Sequence, residues 1–186
     1  YAVSWTGKAD TQNGKINIEN SNVTTSSYYN PDSNNNLGSA IVGNYSKAVY
    51  EGTEKMFANN GQVIAKDSSI NGGIVGSIAQ GGENSNLEAS DNEVVIMNTS
   101  VTKGVIGGRV YFGTTSSSNE NKVTITDKSV VEGDIYGGYV SSLNTMTSND
   151  NTVNIYDSEV TGNIYGTLVT TSSQANGDKT ETNNNT

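Results

Sequence analysis

The chain has 186 residues, a formal net charge of −9, one Pro, and neither Cys nor His. The absence of Cys excludes a disulfide scaffold and a cysteine nucleophile, and the absence of His removes the commonest general base and metal ligand. The acidic balance and the scattered Lys and Arg argue against nucleic-acid binding, because phosphate backbones repel such a surface. No apolar run is long enough to cross a membrane, so we expect no membrane insertion in this segment.

The first thirteen residues read as the last strand of a repeated unit whose beginning lies outside this sequence. Trp5 is the only Trp, and we expect it to pack in the core or to cover an end of the stack, because an open sheet edge invites pairing. The alternative for Trp5 is a place in a recognition surface. Residues 1–60 as a whole predict irregular N-terminal rungs, since only weak copies of the later repeat occur there.

A polar insertion interrupts the first repeat at residues 23–36. It contains Pro31, the only Pro of the chain, directly after Tyr28, Tyr29 and Asn30. Insertions in repeat proteins project as loops on one side, and loops on a rigid scaffold are where binding residues concentrate. We therefore interpret Tyr28, Tyr29 and Asn30 as candidate binding residues, with a solvated loop of no function as the alternative.

Residues 44–60 form a second irregular segment, in which aromatic residues stand among Lys and Glu. Tyr45 and Tyr50 are candidate binding residues here, because Tyr offers a large contact surface at a small entropic cost. The apolar residues of this segment are alternatively interpreted as a cover for the core or for a neighbouring chain.

From residue 61 to residue 169 the repeat becomes regular, with a period of roughly thirty residues. An apolar anchor stands at Ile16, Val63, Val94, Val123 and Val153, and an Asn or Asp follows at Asn20, Asp67, Asn98, Asp127 and Asp157. A second anchor is assigned to Ile41, Ile74, Ile106, Ile135 and Ile164, with a Gly at Gly43, Gly76, Gly108, Gly137 and Gly166. The last column is apolar or aromatic and contains Tyr45, Ile78, Val110, Tyr139 and Leu168.

These columns predict an all-β fold, a β-solenoid of about five rungs made of parallel strands. Apolar residues alternate within each repeat, which is the period of a strand with one buried face. A single repeat cannot bury its inward row, so stacked copies would share one continuous core. The Asn/Asp column indicates a turn, because these residues tolerate the left-handed conformation. The Gly column either relieves crowding at a second corner or leaves room inside the core, and the sequence does not decide between the two.

The connections 80–92, 113–121 and 141–151 are rich in Ser, Thr, Asn and Gly and fall at the same point of each repeat. We expect them to project as a stack of long loops along one edge. Residues 170–186 are predicted to be the next such loop, a polar tail of a truncated repeat.

An outward column directly follows the second anchors and contains Val42, Val75, Gly107, Tyr136 and Tyr165. Stacked at about 4.8 Å per rung, these residues would form an apolar-to-aromatic strip. Tyr136 and Tyr165 are therefore candidate binding residues, and the strip is a possible seam for self-association. The alternative is that one of the long loops covers it.

No catalytic constellation stands out, and the sequence predicts neither an enzyme nor a metal or cofactor site. The chain lacks the motif of a nucleophilic Ser and a phosphate-binding Gly-rich loop before a helix. Carboxylates such as Glu132 and Asp134 have no Arg nearby in the sequence and are interpreted as solvated surface groups. A polysaccharide-degrading β-helix enzyme is therefore the least favoured alternative.

The repeats resemble those in the passenger region of autotransporter (type V secreted) adhesins of Gram-negative bacteria. The resemblance rests on units such as Asn121-Lys-Val-Thr-Ile-Thr-Asp127 with Gly133-Asp-Ile-Tyr-Gly-Gly138, and it covers residues 61–169 well and 14–60 loosely. It implies a right-handed parallel β-helix that is exported to the bacterial cell surface and anchored to the outer membrane by a part not in this chain. Export as an unfolded chain agrees with the absence of Cys.

The functional prediction is an adhesin segment that binds a glycoprotein or glycan of a host or neighbouring cell. The alternative is a purely structural stalk that presents a distal binding domain. The insertion at 23–36 favours the adhesin, because a spacer has no need of it.

Overall fold

The computed structural model describes residues 2–4, 10–25, 40–48, 55–82, 84–171 and 179–186. These residues contain only strands and connections, so this part of the chain has no helix able to cross a membrane. The strands are β1 (Ala2–Ser4), β2 (Thr11–Gln12), β3 (Lys15–Glu19), β4 (Asn22–Thr24), β5 (Ala40–Ala48), β6 (Lys55–Asn59), β7 (Gln62–Lys66), β8 (Ser69–Asn71), β9 (Gly73–Gln80), β10 (Asn86–Glu88), β11 (Glu93–Met97), β12 (Ser100–Val101), β13 (Val105–Tyr111), β14 (Thr115–Ser117), β15 (Lys122–Thr126), β16 (Val130–Val131), β17 (Ile135–Ser142), β18 (Thr145–Thr147), β19 (Thr152–Ile155), β20 (Glu159–Val160), β21 (Ile164–Thr171) and β22 (Lys179–Glu181).

The strands stack into four parallel sheets, each of which takes every fourth strand of the regular repeats. Sheet 1 has the order β1-β5-β9-β13-β17-β21, sheet 2 β2-β6-β10-β14-β18-β22, sheet 3 β3-β7-β11-β15-β19 and sheet 4 β4-β8-β12-β16-β20. The chain therefore winds through about four turns of a β-solenoid, which confirms the predicted all-β, parallel architecture. The right-handed sense stays a prediction.

The core is a thin set of apolar columns between the sheets, as a solenoid of low hydrophobic content requires. Its larger part lies between sheets 3, 4 and the first half of sheet 1, where the buried residues are Val63, Ala65, Ile70, Ile74, Val94, Ile96, Val101, Val105, Val123, Ile125, Val131 and Ile135. A smaller part lies between sheet 2 and the second half of sheet 1 and contains Met56, Ala58, Ala79, Leu87, Ala89 and Val110.

The Asn/Asp column forms left-handed turns between sheets 3 and 4, as predicted. The φ angles are 50° at Asn20, 49° at Asp67, 44° at Asn98, 57° at Asp127 and 44° at Asp157. A second left-handed column, which the sequence analysis missed, precedes sheet 3 and contains Asn13, Asn60, Asp91, Glu120, Asp150 and Asn184. Each turn of the solenoid therefore has two such corners, one before sheet 3 and one after it.

The predicted column at Ile106 is wrong by one residue. In sheet 1, Val105 pairs with Ile74 and Ile135, whereas Ile106 pairs with Val75 and Tyr136. Val105 therefore belongs to the inward column, and Ile106 replaces Gly107 in the outward strip. The same shift places Gly107 in the glycine column and Arg109, not Val110, in the column of Ile78 and Tyr139.

The glycine column marks a close approach between neighbouring rungs within sheet 1, which is a different reason from the two that the sequence suggested. A Cβ atom on Gly76 would overlap the carbonyl oxygen of Gly107, and one on Gly107 would overlap that of Gly137. Gly43 and Gly137 face the same obstacle on the rung that follows them. Only Gly fits here because a side chain would project along the stack into the next backbone.

The polar stretches predicted as loops contain the short strands of sheet 2. Strand β10 lies within 80–92, β14 within 113–121 and β18 within 141–151. Their inward residues include the buried Ser116 and Met146, flanked by Ser and Thr on both sides. A three-residue strand with a single inward residue has no apolar alternation that a sequence pattern could show, whether that residue is Met146 or Ser116.

A ladder of buried Asn side chains runs along the corner before sheet 3. The Nδ2 of Asn92 donates to Oδ1 of Asn121 at 2.8 Å, and Nδ2 of Asn121 donates to Oδ1 of Asn151 at 2.9 Å. Asn151 repeats the contact to Asn185 at 3.1 Å. Each Oδ1 also accepts the backbone N–H of the preceding rung, so the ladder satisfies polar groups that the corner would otherwise leave unpaired.

Candidate binding surfaces

The connection between sheets 4 and 1 is much longer in the first repeat than in the others. Strand β4 ends at Thr24 and β5 begins at Ala40, whereas the equivalent later connections are residue 72 alone, 102–104, 132–134 and 161–163. Thr25 fixes the start of the insertion, because its N–H and its hydroxyl both donate to the carbonyl oxygen of Asn71 at 3.1 Å. The chain is therefore held on the scaffold up to Thr25, directly before the rest of the insertion.

Four of the candidate binding residues predicted from the sequence lie outside the described residues. They are Tyr28, Tyr29, Asn30 and Tyr50, and Trp5 lies outside them as well. Their role as binding residues stays a prediction. Tyr28, Tyr29 and Asn30 belong to the long connection between β4 and β5, and Tyr50 follows β5.

Tyr45 is described and is 6% exposed. It belongs to an apolar cluster on the outer face of sheet 1, together with Val75, Ile78, Ile106 and Tyr139. The Tyr45 hydroxyl donates a hydrogen bond of 2.7 Å to Oε1 of Gln80. The outward strip is therefore buried on the middle rungs, where Val75 and Ile106 have no solvent exposure.

Tyr136 and Tyr165 form the half-buried C-terminal part of this strip. Their rings are stacked, with centroids 5.1 Å apart and planes 4° apart, and the Tyr139 ring meets Tyr136 edge-on at 5.6 Å. The Tyr136 hydroxyl donates to Oδ2 of Asp134 at 3.0 Å. Burial, this hydrogen bond and the negative charge of Asp134 raise the pKa of Tyr136 well above its ordinary value. The structure thus brings these two candidates together, in one aromatic stack beside a carboxylate.

Arg109 was missed by the sequence analysis because the register at this rung was shifted. Its side chain is 2% exposed and lies within the outer cluster of sheet 1. The guanidinium carbon is 5.4 Å from the centroid of the Tyr139 ring and 5.7 Å from that of Tyr111. These distances are in the range of cation–π attraction, so the tyrosines partly compensate a buried positive charge.

A shallow polar depression follows the left-handed corner between sheets 3 and 4. One part of it, of about 470 Å³, is lined by Asn20, Ser21, Asn22, Asp67, Ser68, Ser69 and Asn98. Several of these groups already bond within the corner: Nδ2 of Asn98 donates to Oδ1 of Asp67 at 2.7 Å, and the Ser68 hydroxyl donates to the Lys66 carbonyl. The corner therefore uses these polar groups both within a rung, as at Ser68, and between neighbouring rungs, as at Asn98 and Asp67.

Within the part of the chain that the structure describes, no three Asp or Glu side chains converge as a metal site would require. Among the described residues, the surfaces open to recognition are the half-buried aromatic stack and the exposed parts of the sheets. We compared the chain with models of known protein families, with curated proteins and with solved structures, and found no match in any of the three.

Proposed function

We propose that this chain is a segment of a bacterial surface adhesin that binds a glycoprotein or glycan of a host or neighbouring cell. The observation that carries the proposal is the insertion between β4 and β5. In every later repeat the equivalent connection has only one to three residues. A regular spacer gains nothing from a connection of this length, whereas insertions in repeat proteins often belong to the binding face. Loops mounted on a rigid scaffold are a usual place for binding residues.

The solenoid below the insertion supplies the rigid mount. Its strands are paired in parallel on both sides, and its corners are joined by side-chain ladders that cross from rung to rung. Within the insertion, Tyr28, Tyr29 and Asn30 are the residues we expect to contact the ligand, and Pro31 limits the freedom of the unbound loop. The proposal includes no catalytic step and no cofactor.

The setting we propose is the surface of a Gram-negative bacterium, with a right-handed solenoid anchored to the outer membrane by a part outside this chain. The support is the resemblance of the repeats to autotransporter passengers and the absence of Cys from the sequence. The alternative is a stalk that only spaces a distal domain from the cell. The unbroken parallel stacking of the later rungs favours that second function.

A loop replacement separates the two functions. Residues 26–38 are replaced by a short Gly-Ser linker, which preserves Thr25 and its bond to Asn71. The matched control replaces residues 172–178, between β21 and β22, by the same linker. Both variants should unfold cooperatively in urea. We expect the first variant to lose adhesion to cells and the control to retain it. Unchanged adhesion by the first variant would contradict the adhesin proposal and support the stalk.

A further inference from the structure

The outer face of sheet 3 carries three columns of outward side chains that cross five rungs. The first column contains Lys15, Gln62, Glu93, Lys122 and Thr152; the middle column contains Asn17, Ile64, Val95, Thr124 and Asn154; and the last contains Glu19, Lys66, Met97, Thr126 and Tyr156. Along each strand these residues alternate with residues that point into the core, such as Val63 and Ile96. The column residues therefore point outward.

The middle column is apolar over three successive rungs. Ile64 and Val95 are half-buried and have no polar side-chain atom. Thr124 is also half-buried, but its hydroxyl oxygen is hidden from solvent and has no hydrogen-bond partner among the described residues. What Thr124 exposes is therefore its hydrocarbon part. The three residues together make an apolar strip about 10 Å long, at about 4.8 Å per rung.

The two flanking columns carry charges, and several of these are paired along the stack. In the first column, Oε2 of Glu93 accepts a hydrogen bond of 2.7 Å from Nε2 of Gln62. Oε1 of Glu93 lies 3.8 Å from Nζ of Lys122. In the last column, Lys66 lies 3.3 Å from Glu19. The face thus has an apolar centre and a polar rim, which is the usual arrangement of a protein–protein interface.

We propose that a second copy of this chain packs on sheet 3 through a two-fold axis parallel to the solenoid. Such an axis reverses the strand direction of the second copy relative to the first. It leaves corresponding rungs of the two copies at the same level along the solenoid. The middle column then meets itself, and the first column of one copy meets the last column of the other. Lys15 of each copy faces Glu19 of the other, so two intermolecular ion pairs form.

The charges disfavour the other two-fold arrangement. An axis along the central strand β11 would turn the copies antiparallel and place Glu93 opposite Glu93 of the second copy. That arrangement brings like charges together and separates Lys15 from Glu19, so the parallel dimer is the better fit.

The size of the face determines the strength of the association. Five strands of four or five residues span roughly 300–400 Å² on each copy, from the spacings of about 4.8 Å between strands and about 3.3 Å between residues. A stable interface buries about 800 Å² per partner. The dimer is therefore weak and forms only at high local concentration, such as that on a crowded surface. This inference goes beyond the proposed function and does not depend on the insertion.

Sedimentation equilibrium of the 186-residue chain, from low micromolar to millimolar concentration, tests the dimer directly. We expect reversible dimerisation that Val95→Lys weakens at least about tenfold, because it places a charge at the centre of the strip. The control is Thr115→Lys, which adds the same charge to the exposed Thr115 on β14, outside this face. A chain that stays monomeric at millimolar concentration, or a dimer indifferent to Val95→Lys, would overturn the proposal.

Charge reversal tests the orientation of the two copies. In the parallel dimer, Lys15→Glu alone places Glu opposite Glu19, and Glu19→Lys alone places Lys opposite Lys15, so each variant should associate more weakly than the original chain. Mixing the two variants pairs opposite charges at both positions, so association should recover in the mixture only. Recovery should disappear at high salt, which screens exposed charges. A mixture no stronger than its components would exclude the parallel two-fold arrangement.

Discussion

At the scale of the single residue, Tyr136 couples the aromatic stack to pH. Its pKa is raised mainly by burial and also by the hydrogen bond to Asp134. An unfolded Tyr titrates near pH 10, so the folded chain holds this proton more tightly than the unfolded chain does. The contribution of Tyr136 to stability is therefore complete below about pH 10, and it is lost as the pH rises above that value towards the folded pKa.

Tyr136→Phe should reduce the loss of stability between pH 8 and pH 11. The difference from the original chain should be less than about 1 kcal/mol, because solvent screens a half-buried hydroxyl. Urea denaturation midpoints at the two pH values measure it. Asp134→Asn should act in the same direction, since it removes the negative charge that opposes ionisation. An equal fall of stability in all three proteins would show that Tyr136 is not the coupled group.

At the scale of the element, the corner before sheet 3 depends on the Asn ladder. The Asn121 side chain accepts from the backbone and side chain of Asn92 and donates to Asn151, to the Ser118 hydroxyl and to the Ala89 carbonyl. Removing it leaves several of these buried groups unpaired, at about 1–3 kcal/mol each.

Asn121→Ala should therefore lower the free energy of unfolding by about 3 kcal/mol or more. The matched control is Asn154→Ala on the outward face of sheet 3, for which we expect a change within about 0.5 kcal/mol. Urea denaturation of both variants decides the comparison. Similar losses would mean that the ladder does not specify the corner.

The sequence predicts the elements whose columns have one chemical character. The first apolar anchors and the Asn/Asp turns were placed correctly, because stacking repeats the same residue type at each rung. The predicted register is wrong by one residue at Val105 and Ile106. Two apolar residues followed by Gly107 and Gly108 allow two equally good alignments of the repeat. Strands β10, β14 and β18 of sheet 2 were missed because each has only three residues, with a single inward residue that is Leu87, Ser116 or Met146, so no apolar alternation can show.

The candidate site was harder to predict than the fold. Buried polar residues carry no signal of their own in the sequence, so the sequence predicted neither the Asn ladder nor the burial of Arg109. The outward strip was identified by its spacing, but its burial at Val75 depends on contacts that periodicity does not encode. The insertion was visible as a break in the repeat, because the regular rungs define the length that it exceeds.

At the scale of the whole molecule, a rung is stabilised by the rungs above and below it. Ile74, Val105 and Ile135 have no solvent exposure in the inward column of sheet 1, whereas Ile164 on the last rung of the same column is 52% exposed. The same residue type therefore has two environments in one column. A solenoid stabilised mainly by contacts between neighbouring rungs should respond to the two very differently.

Ile135→Ala should cost about 2–5 kcal/mol of unfolding free energy, because the deletion leaves a cavity between two stacked neighbours. Ile164→Ala, the same substitution in a residue with a neighbouring rung on one side only, should cost less than about 1 kcal/mol, since solvent already reaches that side chain. Urea denaturation of the two variants gives both numbers. The amides of β17 should also lose hydrogen-exchange protection in Ile135→Ala together with those of β13 and β21, because these strands pair directly with it. Equal costs for the two substitutions, or a loss of protection confined to β17, would show that stability does not pass along the stack in this way.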